Sequence, residues 1–520
     1  MTAFRIAKIS VTLSIFSAAF LLPVVEVGST AASTNLSHEV DAWRIAHETQ
    51  IVGDLDALTR LPSVAANPRG IVATADRLAN QLKQRGFRTL QFTAKGGSPP
   101  AVFGTYRVTG AKRTVVFYAH YDGQPVTPSQ WSSDPFTPVM RSGPLTPEAK
   151  NVDWRHAKSP LDPEWRLFGR AVADDKASIV AFLSAFDALK ALHRAPSVDV
   201  DVLWEGEEEA GSPHLAEILK AHAAELRGNL WLIGDGPIHQ SRTPTLYFGA
   251  RGTVDVGMTI YGPIHPLHDG HYGNWAPNPA AMAAELIASM RDGEGRILIP
   301  DFSGNVRPLT EAELKAIAKL PRVENALKRQ FGLDRSESDD GLTQSTMRPA
   351  LNIRGIAAGN VGAQATNAIP SEAEISIDFR LVPDQTPQGA REKVEAFLKS
   401  KGWTLVSDAP DLATRLAHRK IVKLVWGGGY PALRTDMTTP EARAVITAAD
   451  EAAGRHVALL PMIGGSVPIY LFHQILQVPV IGLPIVNHDD SQHAPDENLR
   501  LENLWEGIDT YAAMMAELNW

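Results

Sequence analysis

The run Trp204-Glu205-Gly206-Glu207-Glu208-Glu209-Ala210-Gly211-Ser212 concentrates carboxylates at the point where a strand gives out. The preceding Val200-Asp201-Val202-Leu203 is β-branched and apolar-rich, the pattern of a strand entering a sheet. Carboxylates packed together repel unless a cation or a proton offsets them. In open α/β sheets, sites form beyond the carboxyl ends of strands, so this cluster suits a cation site. Taken alone it suits a solvated first helical turn better, because negative charge is favoured there. The choice between the two rests on where the other His and Asp residues fall.

Several further stretches have the same form. Thr114-Val115-Val116-Phe117-Tyr118 is a compact strand pattern that runs into Ala119-His120-Tyr121-Asp122. A His at a strand end can offer one ring nitrogen to a metal, and an Asp two residues on can bind the other nitrogen and fix the tautomer. Phe168-Gly169-Arg170-Ala171-Val172-Ala173-Asp174-Asp175-Lys176 precedes an apolar helix over 179–192 with Phe182, Phe186 and Leu189 on one face. Its paired acids fit a helix N-terminus or a carboxylate shared by two metals. Asn229-Leu230-Trp231-Leu232-Ile233 is another strand, and it leads to Asp235. Three strands therefore deliver His120, Glu209 and Asp235 at their ends, with Asp174 on a nearby loop.

The elements around these stretches divide the chain. Helical spacing over 40–61 ends at Pro62, and a second helix over 71–85 closes at Gly86. Residues 131–166 are rich in Pro, Trp and charge and read as a long loop. The pattern changes near residue 245. A half-buried strand over 253–260 is followed by the loop Pro266-Leu267-His268-Asp269-Gly270-His271-Tyr272-Gly273 and an Ala-rich helix over 280–290. Residues 293–347 are charged and match no single element. Glu374 to Arg380 alternates so that Ile375, Ile377 and Phe379 face a core; a helix over 390–398 and a strand over 403–406 follow. From about residue 423 the α/β pattern returns, with Met462-Ile463-Gly464-Gly465-Ser466, a strand over 478–483, and the stretch from Asn487 to Glu497. This order predicts an α/β domain interrupted by an inserted α+β sandwich.

Composition sets limits on function. At 520 residues the chain exceeds one ordinary domain. A net charge of −8 with no broad basic tract excludes nucleic acid as the expected partner. Arg5 and Lys8, an apolar run over 11–22 and small residues at Ser29 to Ala32 form a secretory signal pattern, cleaved after Ala31 or Ala32. That run is short for a membrane span, so the expectation is an exported protein, periplasmic or secreted, without a stable membrane anchor. With 0 cysteines, any metal site must use His, Asp and Glu.

In this order, from His120 to His493, the motifs resemble those of the two-zinc metallopeptidases that include carnosinase, bacterial dipeptidases, aminoacylase and succinyl-diaminopimelate desuccinylase. The resemblance covers nearly all of the mature chain. It implies a zinc-dependent exopeptidase domain of α/β type, residues 32–245 and 423–520, with a ferredoxin-like lid over 246–422 that also forms a homodimer. It implies two zinc ions per subunit, with manganese or cobalt as substitutes. His120 and Asp235 would hold the first ion, Glu209 and His493 the second, and Asp174 both; His488 is a weaker rival to His493. Asp122 would orient His120, and Glu208 would be the general base. His268 and Arg380 would bind the substrate's carbonyl oxygen and carboxylate, with Asn367, Gly465 and Ser466 as further substrate contacts. In such a site the metals activate a water, Glu208 moves its proton, and His268 stabilises the oxyanion.

The chain departs from the family pattern at Ala171 and Ala177, where glycines are usual, and at Asp269, where a serine is usual. It also carries extra length over 131–166 and 293–347. None of these departures removes a ligand; they bear on the substrate pocket rather than on the reaction. The expected reaction is hydrolysis of dipeptides or small peptides. Removal of acyl groups from N-acyl amino acids is the alternative on the same metals, and a catalytically dead peptide-binding cleft is the alternative from another class. Asp rather than Glu at position 235 is, within the family, the habit of members that act from a free amino terminus.

Overall fold

The structure, a computed structural model, describes residues 30–520. The expected signal segment over 1–31 falls outside those residues except at its last positions. Among the described residues no helix is long and apolar enough to cross a membrane.

The α/β part is an eight-stranded sheet in the order Arg88–Phe92, Ala101–Tyr106, Asp199–Glu205, Thr114–His120, Leu230–Ile233, Val480–Gly482, Thr245–Tyr247, Ala458–Leu460. Its central four strands are parallel. Buried on both faces, they read as continuous apolar runs rather than as alternation. Thr114–His120 is buried at every position after Thr114. Parallel pairing brings the carboxyl ends to one edge, with His120 opposite Glu205 and Tyr118 opposite Ile233.

Helices cover both faces. The Lys176–Ala191 helix is buried at nearly every residue, because Thr30–Thr59 and Leu501–Ala516 pack over the side turned away from the sheet. The one-faced pattern expected for 179–192 understates this: Ala177, Ala181, Ala185 and Ala188 give the outer helices a close approach. On the opposite face Phe472 stacks on Trp231 with ring centroids 4.4 Å apart.

The lid is a five-stranded sheet in the order Ala350–Ala357, Glu372–Leu381, Gly252–Tyr261, Ile421–Tyr430, Thr404–Val406. All pairs are antiparallel except the last. Val254, Val256, Met258 and Ile260 alternate inward against the Pro279–Met290 and Pro387–Ser400 helices. The chain enters the lid sheet at Gly252, after Thr245–Tyr247 has paired in the eight-stranded sheet, and it leaves only after Tyr430. The change of pattern near residue 423 therefore lies inside one strand, whose second half is glycine-rich.

Both stretches of extra length are ordered. Within 131–166, Val139–Arg141 pairs with Arg166–Phe168, which pairs in turn with Asn498–Arg500. This small sheet ties the loop before Asp174 to the segment after His493. Within 293–347 lie the helices Glu311–Lys319, Glu324–Phe331 and Leu342–Thr346. The first starts with a reciprocal capping box between Thr310 and Glu313. Glu313 also pairs with buried Arg434 at 2.9 Å, which fastens this insertion to the α/β part.

Candidate active site

His120 ends its strand with no exposed surface. Its Nε2 lies 2.9 Å from Asp174 Oδ1, and its Nδ1 lies 3.3 Å from Asp122 Oδ1. The Asp122 carboxylate has a second task. It accepts the backbone N–H groups of Glu208 and Glu209, each at 3.1 Å, and so sets the acidic loop against the His120 strand. That loop turns at Gly206, where a Cβ would sit 2.2 Å from the Tyr121 hydroxyl. Only glycine lets the chain pass there.

Asp174 lies on a loop shaped by a residue that the sequence did not single out. Glu497, with no exposed surface, accepts hydrogen bonds from Arg170 Nη1 at 2.8 Å and from the backbone N–H groups of Ala171, Ala173 and Asp174 at 3.0, 2.9 and 3.0 Å. Ala171, standing where the family has glycine, is held at φ 62°. Glu497 accepts its N–H in that left-handed conformation, which a Cβ disfavours. Burial pushes the Glu497 carboxyl up to about 7 against the pull of Arg170.

Two ligand sets result. His120, Asp174 and Asp235 bring donor atoms within 4.8 Å of one another, and so do Asp174, Glu209 and His493. Asp174 belongs to both. His493 Nε2 lies 3.1 Å from Asp174 Oδ2 and 3.1 Å from Glu209 Oε2. Gln492 donates to Asp174 at 2.8 Å and Gln124 to Glu209 at 2.8 Å. His488 belongs to neither set; its Nδ1 is buried without a partner.

The electrostatics reflect too many acids for the cations at hand. Burial lifts Glu208 well above the carboxylate range, with His120 drawing it down and Asp235 adding to the rise. Burial and the charge of Asp174 push Asp235 up to about 7. Burial opposes the charge on Asp174 too, but hydrogen bonds from His120 and His493 hold it below the ordinary range. Bonds to Asp174 and Glu209 raise His493 to about 10. A dication held among these carboxylates would supply the compensation that their burial demands. The donors are oxygen and imidazole nitrogen only, a set that fits zinc and equally manganese or cobalt.

Next to these groups is a cavity of about 550 Å³, bordered by Asp174, Glu208, Asp235 and His493 and also by Arg380, Gly465 and Ser466. Arg380 Nη1 donates to Ser466 Oγ at 2.7 Å and its Nε to Asp378 at 2.8 Å. His268 and Asn367 do not border this cavity. They sit side by side on the lid, where His268 pairs with Ala368 in a two-stranded ladder, and both are exposed. Asp269, the departure beside His268, accepts the Gly270 N–H at 2.7 Å and begins a short helix.

The sequence profile of Peptidase family M20/M25/M40 matches residues 116–517. The Cys-Gly metallodipeptidase dug1 of Schizosaccharomyces pombe is 27% identical over 491 residues, covering 90% of this chain and 95% of that one. Human carnosine dipeptidase 1 superposes with a TM-score of 0.72 at 21% identity, covering 93% and 98% of the two chains. A metallo-carboxypeptidase of the M20 family from Sulfolobus solfataricus gives 0.71 at 24% identity, covering 90% and 99%.

Removing Glu497 would leave Arg170 without its carboxylate partner, though still bonded to the Ala494 carbonyl, and three N–H groups unpartnered inside the protein. Breaking a buried pair costs roughly 3–5 kcal/mol. Glu497→Ala should therefore melt well below wild type and bind metal more weakly, with Glu497→Gln intermediate. Calorimetry and metal analysis of the purified variants check this, and an unchanged melting temperature in Glu497→Ala would contradict it.

Proposed function

The chain belongs to peptidase family M20/M25/M40, a family of metal-dependent hydrolases, and on that premise we propose that it is an exported dinuclear zinc dipeptidase acting on free dipeptides or small peptides. The observation that carries this reading is the pair of ligand sets sharing Asp174, with Glu208 bordering the same cavity. His120 and Asp235 would hold one ion, Glu209 and His493 the other, and Asp174 both. Once bound, the ions would polarise the scissile carbonyl and acidify a shared water.

The chain's own groups then divide the work. Glu208 accepts the proton of the attacking water and passes it to the leaving amine nitrogen. Its position apart from both ligand sets leaves its carboxylate free for this. Arg380, steadied by Asp378 and Ser466, binds the substrate carboxylate. Export is supported by the signal pattern over 1–31. The dipeptide preference is supported by Asp at position 235 and by the similarity to a Cys-Gly metallodipeptidase.

Glu208→Ala should keep two metals per chain yet lose hydrolysis by about 10²–10⁴-fold. Wild type should cleave free dipeptides faster than their N-acetylated forms. Metal analysis and a panel of both substrate classes test this together. A variant that keeps its rate removes Glu208 from the base role; a variant that loses metal exchanges it with Glu209; faster turnover of blocked substrates favours the deacylase.

The second part of the reading is a homodimer in which His268 completes the partner's site and donates to the oxyanion. Its exposed place beside Asn367, off the cavity of its own chain, supports this. Mixing His268→Ala with Glu208→Ala under verified subunit exchange should return about a quarter of wild-type activity. Half the dimers are then mixed, and each carries one intact site. If nothing is restored, His268 does not act across the interface.

A further inference from the structure

The Leu342–Thr346 helix lies in the charged stretch over 293–347, whose part in the reaction is otherwise unassigned. Leu342, Thr343 and Thr346 border the active-site cavity although they belong to the insertion in the lid. The helix is fastened on three sides. Glu324 accepts the Leu342 N–H at 3.1 Å. Thr346 packs against the turn that carries Ser466, since a Cβ on Gly464 would come within 3.2 Å of Thr346 Cγ2. The next residue, Met347, is buried with Met462 and Val382.

The cavity has two kinds of wall. Asp174, Glu208, Asp235 and His493 supply the reacting face, and Arg380 supplies the positive charge. The remainder is uncharged apart from one His: Ile238, Leu342, Leu460, Met462, Ile463 and Val467 are apolar, and Thr343 and Thr346 add hydroxyls. His239 is the one ionisable group on that side, and it is committed to Ser241 through Nδ1 at 2.8 Å. No carboxylate or ammonium there could pair with a charged substrate side chain, and burying an unpaired charge is costly. Leu342 is 38% exposed, an apolar side chain at the cavity that the protein itself leaves partly uncovered.

A substrate whose carboxylate meets Arg380 and whose scissile carbonyl faces Glu208 places its C-terminal residue between them. We propose that the Leu342–Thr346 helix is the specificity element of this site and that it selects an apolar C-terminal residue in the substrate. The proposal rests on Arg380 as the carboxylate anchor; it holds for a dipeptide and for an N-acyl amino acid alike, because both present a C-terminal amino acid to that wall.

The test uses the zinc-loaded full chain. The readout is the ratio of kcat/KM for Ala-Leu over Ala-Gly, measured alongside N-acetyl-leucine over N-acetylglycine. An apolar pocket discriminates by about 10–200-fold per methylene-sized group, so wild type should favour leucine at least tenfold in the class it cleaves. Leu342→Trp, which fills the cavity, should lower that ratio about tenfold or more. Leu342→Ala, which removes contact without adding bulk, should lower it several-fold and serves if the tryptophan variant does not fold. A wild-type ratio near one, or a ratio unchanged in Leu342→Ala, overturns the proposal, as does failure of wild type to cleave either class. Faster cleavage of the N-acetyl substrates with the leucine preference and its loss in the variants intact would instead retire the dipeptidase reading and leave the helix assignment standing.

Discussion

Four carboxylates and two imidazoles meet at one edge of a parallel sheet, and their mutual repulsion is the constraint on everything around them. Two like charges 4 Å apart cost about 4 kcal/mol at an effective dielectric of 20, and Asp174, Asp235 and Glu209 stand in sets within 4.8 Å. The fold cannot relax this by spreading the acids, because parallel pairing fixes where each strand ends. It must be offset by protons or by cations. The raised Asp235 and Glu208 and the raised His493 are the response of the protein alone. On the proposed reading, dications shared through Asp174 would satisfy the same demand and would leave Glu208 free for proton transfer.

Two other buried carboxylates hold this arrangement in place without joining it. Asp122 accepts the N–H groups of Glu208 and Glu209. Glu497 accepts those of Ala171, Ala173 and Asp174 and is paired with Arg170. Each fixes the backbone of a loop that bears reacting side chains. Each also crosses the fold, since Asp122 links adjacent strand ends and Glu497 links the C-terminal segment to the loop before the Lys176–Ala191 helix. The small sheet joining Val139–Arg141, Arg166–Phe168 and Asn498–Arg500 reinforces that second link. The positive φ of Ala171 shows the strength of the hold: a side chain is kept where glycine is the ordinary choice.

Much of this is legible in the sequence, for physical reasons that differ by residue. His120, Glu209 and Asp235 can be found because a buried parallel strand is a continuous apolar run and its end is where polarity returns. Asp174 is visible only as one of two acids before a helix, which a helix N-terminus would also explain, and His493 lies on an irregular loop, so the resemblance to a family decides their roles. Asp122 is visible as His-x-Asp, but its grip on the Glu208 loop is a tertiary contact with no local signature. Glu497 sits in a run of acids that looks solvated; nothing in the chain announces that Arg170, 327 positions away, buries it. The helices over 293–347 are short and charged, and their few apolar residues have mixed fates: Ala316 is buried, Leu342 borders the cavity, and Leu314 and Phe331 are exposed, so no long apolar stripe marks them. The change of composition near residue 423 falls inside Ile421–Tyr430, a strand that changes composition midway without changing sheet.

The central claim is that Asp174 is shared by two metal ions, and anomalous diffraction at the zinc edge from crystals grown with zinc tests it most directly. Two peaks about 3.5–4 Å apart, one beside His120 and Asp235, one beside Glu209 and His493, with the Asp174 carboxylate between them, is the predicted result. A single peak, or two peaks with Asp174 touching only one, would contradict the account.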